Sequence, residues 1–255
     1  MNATRHFHAR RSRQAGFTIV EMMVAMAISF VVMLGFAVTF VNIKGTFLAQ
    51  DKVAQLQDNE RLAMSIITAS AQESGYFPFP TGSVGASQIV ATTDTTYGNM
   101  AAGNAVFGNT VGGSDTLSLA FAASADDGLI TCQGHTITAA DIAGVPTPAN
   151  NSVGVRHIFY VDTTAKTLNC IVKINNNTTA SYGGGTTQPL VTNVASMALA
   201  YGVDGGAGSV TGYWPASGVT DWTKVKTVRM TLNFVNPNDT TSTIPWVQTI
   251  NLLNR

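Results

Sequence analysis

Glu21 is the single charge in a 25-residue apolar run, Phe17 to Val41, that reads FTIVEMMVAMAISFVVMLGFAVTFV. A carboxylate inside such a run costs about 2.5–3.5 kcal/mol on insertion scales, so it calls for a positive partner. Its chemistry is charge pairing, not turnover. The remaining reactive side chains are sparse and scattered. Cys132 and Cys170 form no CxxC or other metal-ligand spacing. They are read as one disulfide if the segment faces an oxidising compartment, against two separate buried thiols. Asp126 and Asp127, in Ala-Asp-Asp-Gly, read as a turn in preference to an acid–base pair. Beyond residue 16 only His135 and His157 remain as histidines, and no nucleophile elbow, P-loop, dinucleotide fingerprint or H-E-x-x-H helix occurs. Catalysis therefore has little to work with, and neither cofactor nor metal is expected. Asp204-Gly205-Gly206-Ala207-Gly208-Ser209 offers one carboxylate, too few hard ligands for calcium. Tyr182, Tyr213, Trp214 and Trp222 have no basic cluster beside them, which favours a core or interface role over nucleic-acid stacking.

The elements that position these residues follow from charge and periodicity. Lys plus Arg and Asp plus Glu both number 14, but Arg5, Arg10, Arg11 and Arg13 lie in the acid-free first 16 residues. Arginines ahead of an apolar run long enough to span a bilayer keep that end cytoplasmic and send the chain beyond residue 45 across the membrane. Three readings of this start compete. An ordinary signal peptide has an apolar core of about 7–15 residues before a small-x-small site, whereas Ala25-Met26-Ala27 falls in mid-run. A plain anchor explains the arginines and leaves Glu21 unexplained. A precursor cut before the run accounts for both.

Helical spacing continues past the membrane through Phe47, Leu48, Val53, Leu56, Ala63, Ile66, Ile67 and Ser70, with Asp51, Lys52, Asp58, Glu60 and Arg61 assigned to other faces. The stop is expected at Gly75. Gly35 and Gly45 mark either local bending or close packing. From Tyr76 onward Thr, Gly, Asn, Val and Ser dominate and short apolar alternations appear. Strands are expected at Thr116 to Phe121, Arg156 to Val161, Leu168 to Ile174, Met197 to Tyr201, Val225 to Phe234 and Pro245 to Leu252, with Asp162 to Lys166 as a hairpin turn. One antiparallel sheet packed on the amphipathic helix gives an α+β domain, and residues 81 to 113 and Asn175 to Gly185 read as surface loops.

The string Gln14-Ala15-Gly16-Phe17-Thr18-Ile19-Val20-Glu21 resembles the type IV pilin precursor motif. The resemblance implies that a prepilin peptidase cuts between Gly16 and Phe17 and methylates the new amine of Phe17, which Glu21 neutralises as subunits pack. It implies a leader at 1–16, a membrane and filament-core helix at 17–44, an amphipathic half at 45–75 and a β domain at 76–255. Where major pilins usually carry Pro, this chain has Val38, which favours a minor component. Gly113 to Leu117, Pro189 to Asp204 and Trp222 to Met230 look like the ordered landmarks of the minor pilin family PilW. That resemblance implies a structural role in pilus assembly at the filament tip, with other minor and major pilins, the assembly machinery and inner-membrane lipid as partners; the charge balance gives no sign of a nucleic-acid partner. A minor pseudopilin of type II secretion and a pilus-associated adhesin are the alternatives.

Overall fold

The computed structural model describes residues 16–78, 89, 91–125, 127–142, 153–174, 178–180, 187–206 and 208–253. The chain divides into two compact units, residues 1–51 and 52–255. One helix, α1 (Ile19–Glu73), contributes residues to both.

In the first unit α1 runs unbroken through Gly35 and Gly45, so neither glycine unwinds it. Its side chains are exposed from Ile19 to Leu48, and the stretch is long and apolar enough to cross a membrane. The hydroxyls within it turn back on the helix. Ser29 Oγ donates to Ala25 O at 2.8 Å, and Thr39 Oγ1 to Gly35 O at 2.9 Å. Each hydroxyl proton is thereby satisfied without water, as hydrocarbon surroundings require.

In the second unit α1 buries Leu56, Glu60, Ala63, Met64, Ile67, Ser70 and Ala71. This stripe differs from the expected one at its start and at Glu60. Phe47, Leu48 and Val53 are exposed, and the assignment of Glu60 to another face is overturned because Glu60 is 3% exposed. The four- and three-residue steps from Leu56 through Glu60 to Ala63 and Ile67 place that carboxylate on the buried line whatever its polarity. The helix ends at Glu73, and Gly75 leaves it at φ +80°, a conformation glycine adopts without a Cβ penalty.

The β region forms two antiparallel sheets where a single one was expected. The first contains β1 (Val106–Val111), β2 (Ser114–Ala123), β3 (Val153–Asp162), β4 (Thr167–Ile174) and β5 (Thr178–Ala180) in that order, with β6 (Gln188–Thr192) also paired to β4. The second has the order β10 (Asp239–Asn251), β9 (Val225–Asn236), β7 (Val194–Asp204), β8 (Val210–Trp214). Asn193, at φ +63°, alone separates β6 from β7 and turns the chain from one sheet into the other. The β3–β4 turn is the expected one: Asp162 Oδ1 accepts the Thr164 and Ala165 amides at 2.9 and 2.8 Å.

One core joins the helix stripe to Leu119, Phe121, Phe159 and Cys170 of the first sheet and Met197, Tyr201, Met230 and Phe234 of the second. The opposite face of the first sheet is also covered, by a smaller cluster of Ile89, Met100, Ala105 and Ala120. Residues 81 to 113 are therefore not simply a surface loop. Their described part supplies β1 and a buried cover, while 81–88 and 90 lie outside the described residues. Of Asn175 to Gly185 only β5 is described.

Candidate processing and packing site

Gly16, Phe17 and Thr18 precede the helix and are exposed, Phe17 at 80%. Thr18 starts α1 for a local reason. Its Oγ1 accepts the Glu21 amide at 3.2 Å, and its carbonyl accepts the Met22 amide at 3.2 Å. This is N-cap geometry, with Thr at the cap and Glu three residues on. Glu21 thus sits in the first turn, where unpaired amides and the helix dipole favour negative charge. A peptidase would find the Gly16–Phe17 bond outside helical hydrogen bonding. The amine released there would be a cation beside the positive end of a helix, in need of a carboxylate partner.

The structure brings Cys132 and Cys170 together as a disulfide, with Cα atoms 6.3 Å apart and both residues buried. The Cys132 amide donates to His157 Nε2 at 3.4 Å, and Gln133 Nε2 to Cys170 O at 3.2 Å. His157 lies edge-on to Phe121 and Phe159, and burial pushes its pKa down to about 3, so it is a neutral core residue. His135 pairs with Asp141 at 2.9 Å. Asp127 accepts from the amide and hydroxyl of Ser124, a turn as read, while Asp126 lies outside the described residues.

Asp204 Oδ1 accepts the Gly206 and Gly208 amides at 2.7 and 3.0 Å, closing its loop with its own backbone. Among the described residues no three His, Cys, Asp or Glu side chains group to hold a metal. Trp222 packs on Phe107 and Tyr201 with ring centroids 5.0 and 4.8 Å away. Tyr213 carries the Arg229 guanidinium 4.5 Å above its ring; Tyr182 lies outside the described residues.

Sequence reasoning passed over a buried polar cluster on the covered face of the first sheet. Arg156, 1% exposed, donates to Thr92 Oγ1, Ser118 Oγ and the carbonyls of Tyr97 and Gly98. Beside it Lys173 pairs with Asp94, which also accepts the Thr96 and Tyr97 amides. Burial alone would raise the Asp94 pKa, but the Lys173 and amide hydrogen bonds outweigh it and hold the carboxyl low. The signal was Arg156 and Lys173 inside apolar alternations, which a one-sided sheet would have left in solvent.

Residues 158–249 match the family described as Type IV Pilus-assembly protein W, and residues 11–37 match the one described as Prokaryotic N-terminal methylation motif. The first match runs from the middle of β3 through nearly all of β10, and the second spans Gly16 to Glu21 and the start of α1. Both resemblances drawn from the sequence are met. No curated protein matches the chain.

Proposed function

We propose that this chain, a pilin-like subunit related to the type IV pilus, is a minor pilin that initiates or assembles the filament and sits at its tip. The long apolar helix and the methylation motif fit membrane anchoring. The reading goes further: the first 16 residues stay cytoplasmic, a prepilin peptidase cuts between Gly16 and Phe17 and methylates Phe17, and the domain from residue 45 onward lies across the inner membrane before it joins the pilus.

The observation that carries this reading is the Thr18-capped first turn holding Glu21 at the head of an apolar stretch of α1 that carries no other charge as far as Val41. A lone carboxylate is disfavoured in lipid and in a packed helical bundle alike, and a freshly exposed amine from a neighbouring subunit compensates it only when subunits gather. The work of the chain is then packing and assembly with other pilins and the assembly machinery, with no reaction to catalyse.

The test is the N-terminal sequence and methylation state of the mature protein. A start at N-methylated Phe17 supports the reading; a start at Met1 or beyond Val41 removes it. Deleting the gene and imaging pili separates assembly from adhesion, because loss of filaments supports the first and normal filaments with lost attachment the second.

A further inference from the structure

In the second unit a groove of 590 Å³ runs between α1 and β10, lined among others by Gln57, Glu60, Met64, Thr68, Trp246 and Gln248. Three features of it are unexplained by the fold. Glu60 is 3% exposed as a residue and lines the groove, and among the described residues its carboxylate makes no hydrogen bond or ion pair. Arg61 lines the same groove without reaching it, since successive helical residues point about 100° apart. The carboxylate opens on the groove, burial raises its pKa, and an incoming cation there would favour its charged form.

The second feature is the strand. Among the described residues β10 pairs only with β9, so its other edge presents free N–H and C=O groups. Edge strands are ordinarily guarded by charges; from Thr240 to Asn251 this one has none, and its only guard is Pro245. Third, Trp246 is 41% exposed on the groove side, and Val247, on the opposite face of the same edge strand, is 57% exposed. A free edge next to an aromatic wall and an unpaired acid fits an added strand whose backbone extends the sheet and whose side chains fill the groove.

We propose that this groove receives an extended strand of a neighbouring pilin-like subunit, which pairs with the free edge of β10 and sets a Lys or Arg side chain against Glu60. The partner is a different subunit, because β10 carries no cation of its own and two copies paired strand to strand would leave both Glu60 carboxylates unmatched. This rests on the reading of the chain as a filament subunit.

The test is photo-cross-linking of the full chain in cells that build the filament, with p-benzoylphenylalanine placed at Val247 and, in a second strain, at Phe30 of the apolar helix. The expected result is an adduct from Val247 to a different pilin-like subunit, mapped by mass spectrometry to a segment carrying Lys or Arg. Glu60→Gln and Trp246→Ala should each lower that adduct at least tenfold and leave the Phe30 adduct unchanged. An adduct only to another copy of this chain or to a protein without a pilin N-terminus overturns the proposal, as does a yield indifferent to either substitution. Adducts from Phe30 with none from Val247 overturn it and spare the filament reading; none from either position overturns both.

Discussion

Arg156 of β3 donates through Nη2 to the Ser118 hydroxyl of β2 at 2.8 Å, on the covered face of the first sheet. The same guanidinium reaches Thr92 Oγ1 at 2.9 Å and Gly98 O at 3.0 Å, so one buried cation ties the segment 92–100 to the sheet. Replacing it with Met keeps much of the volume and leaves two hydroxyls and two carbonyls without that partner. Arg156→Met should therefore destabilise the protein by about 3 kcal/mol or more, seen as a lower urea midpoint at unchanged slope.

Gly108 of β1 lies against Tyr201 of β7, and any Cβ at that position would run into the phenol ring. Tyr201 is fully buried and held edge-on by Trp222, so its ring has nowhere to retreat. Gly108→Ala should cost about 1–3 kcal/mol as overpacking, and Tyr201→Phe in the same chain should recover part of it by removing the hydroxyl; thermal melts of the single and double variants measure both.

That contact also explains what the sequence hid. Val-Phe-Gly-Asn-Thr-Val has glycine and asparagine where a strand wants bulk, so β1 read as loop, yet the glycine is the condition for packing β1 beside Tyr201. The short β6 was masked by Pro189 and β8 by Gly212, whereas β2, β3, β4, β7, β9 and β10 all overlap the strands that alternation predicts. Local pattern reports what one strand buries, not which sheet it joins, and the Asn193 switch that makes two sheets depends on a single left-handed residue. For the processing site the legibility is inverted. Gly16, Phe17 and Glu21 fall within one short string and stand out in it, whereas Glu60 was assigned by its charge when its helical phase decided its place.

The disulfide closes a separation of 38 residues between Cys132 and Cys170. In the chain-entropy account a loop of that size stabilises the native state by about 4 kcal/mol. Reductant, or the pair of substitutions Cys132→Ala and Cys170→Ala, should lower the denaturation midpoint accordingly, and mass spectrometry of non-reduced peptides should recover the two cysteines in one linked species.

Buried His157 and half-buried Glu73 make stability depend on pH with opposite signs. His157 titrates near 3 in the native state, well below its ordinary value of 6.5, because burial disfavours the charged ring. From pH 6.5 down to about 3 the unfolded chain takes up a proton that the native chain refuses, so stability falls with acid. Glu73 is pushed up to about 6 by burial, and Glu60 shifts in the same direction. Between pH 4.5 and about 6 the native chain keeps a proton on Glu73 that the unfolded chain releases, so this group removes stability as pH rises. His157→Gln, which retains an acceptor for the Cys132 amide, should flatten the acid limb below pH 4.5. Glu73→Gln should raise the midpoint at pH 7 relative to pH 4.5, as denaturation series across that range will show.

If Glu21 acts in assembly as proposed, substitutions in the Thr18–Glu21 turn should separate membrane insertion from filament packing. In lipid Glu21 is a liability that the amides of the first helical turn only partly offset, so Glu21→Val should leave insertion intact or improve it by at most about 3 kcal/mol. On the proposed reading the same carboxylate would meet the Phe17 amine of a neighbour in the filament, and losing even 1.4 kcal/mol of that pairing would correspond to about a tenfold change in incorporation. Thr18→Val keeps the charge and removes the cap, at a cost of about 1 kcal/mol confined to the first turn, so its incorporation defect should be the smaller of the two. Membrane fractionation read against the amount of each variant in sheared pili measures both quantities. Parallel losses of Glu21→Val from membrane and filament would show that the carboxylate serves insertion instead, and equal incorporation of Glu21→Val and the parent chain would remove its role in packing.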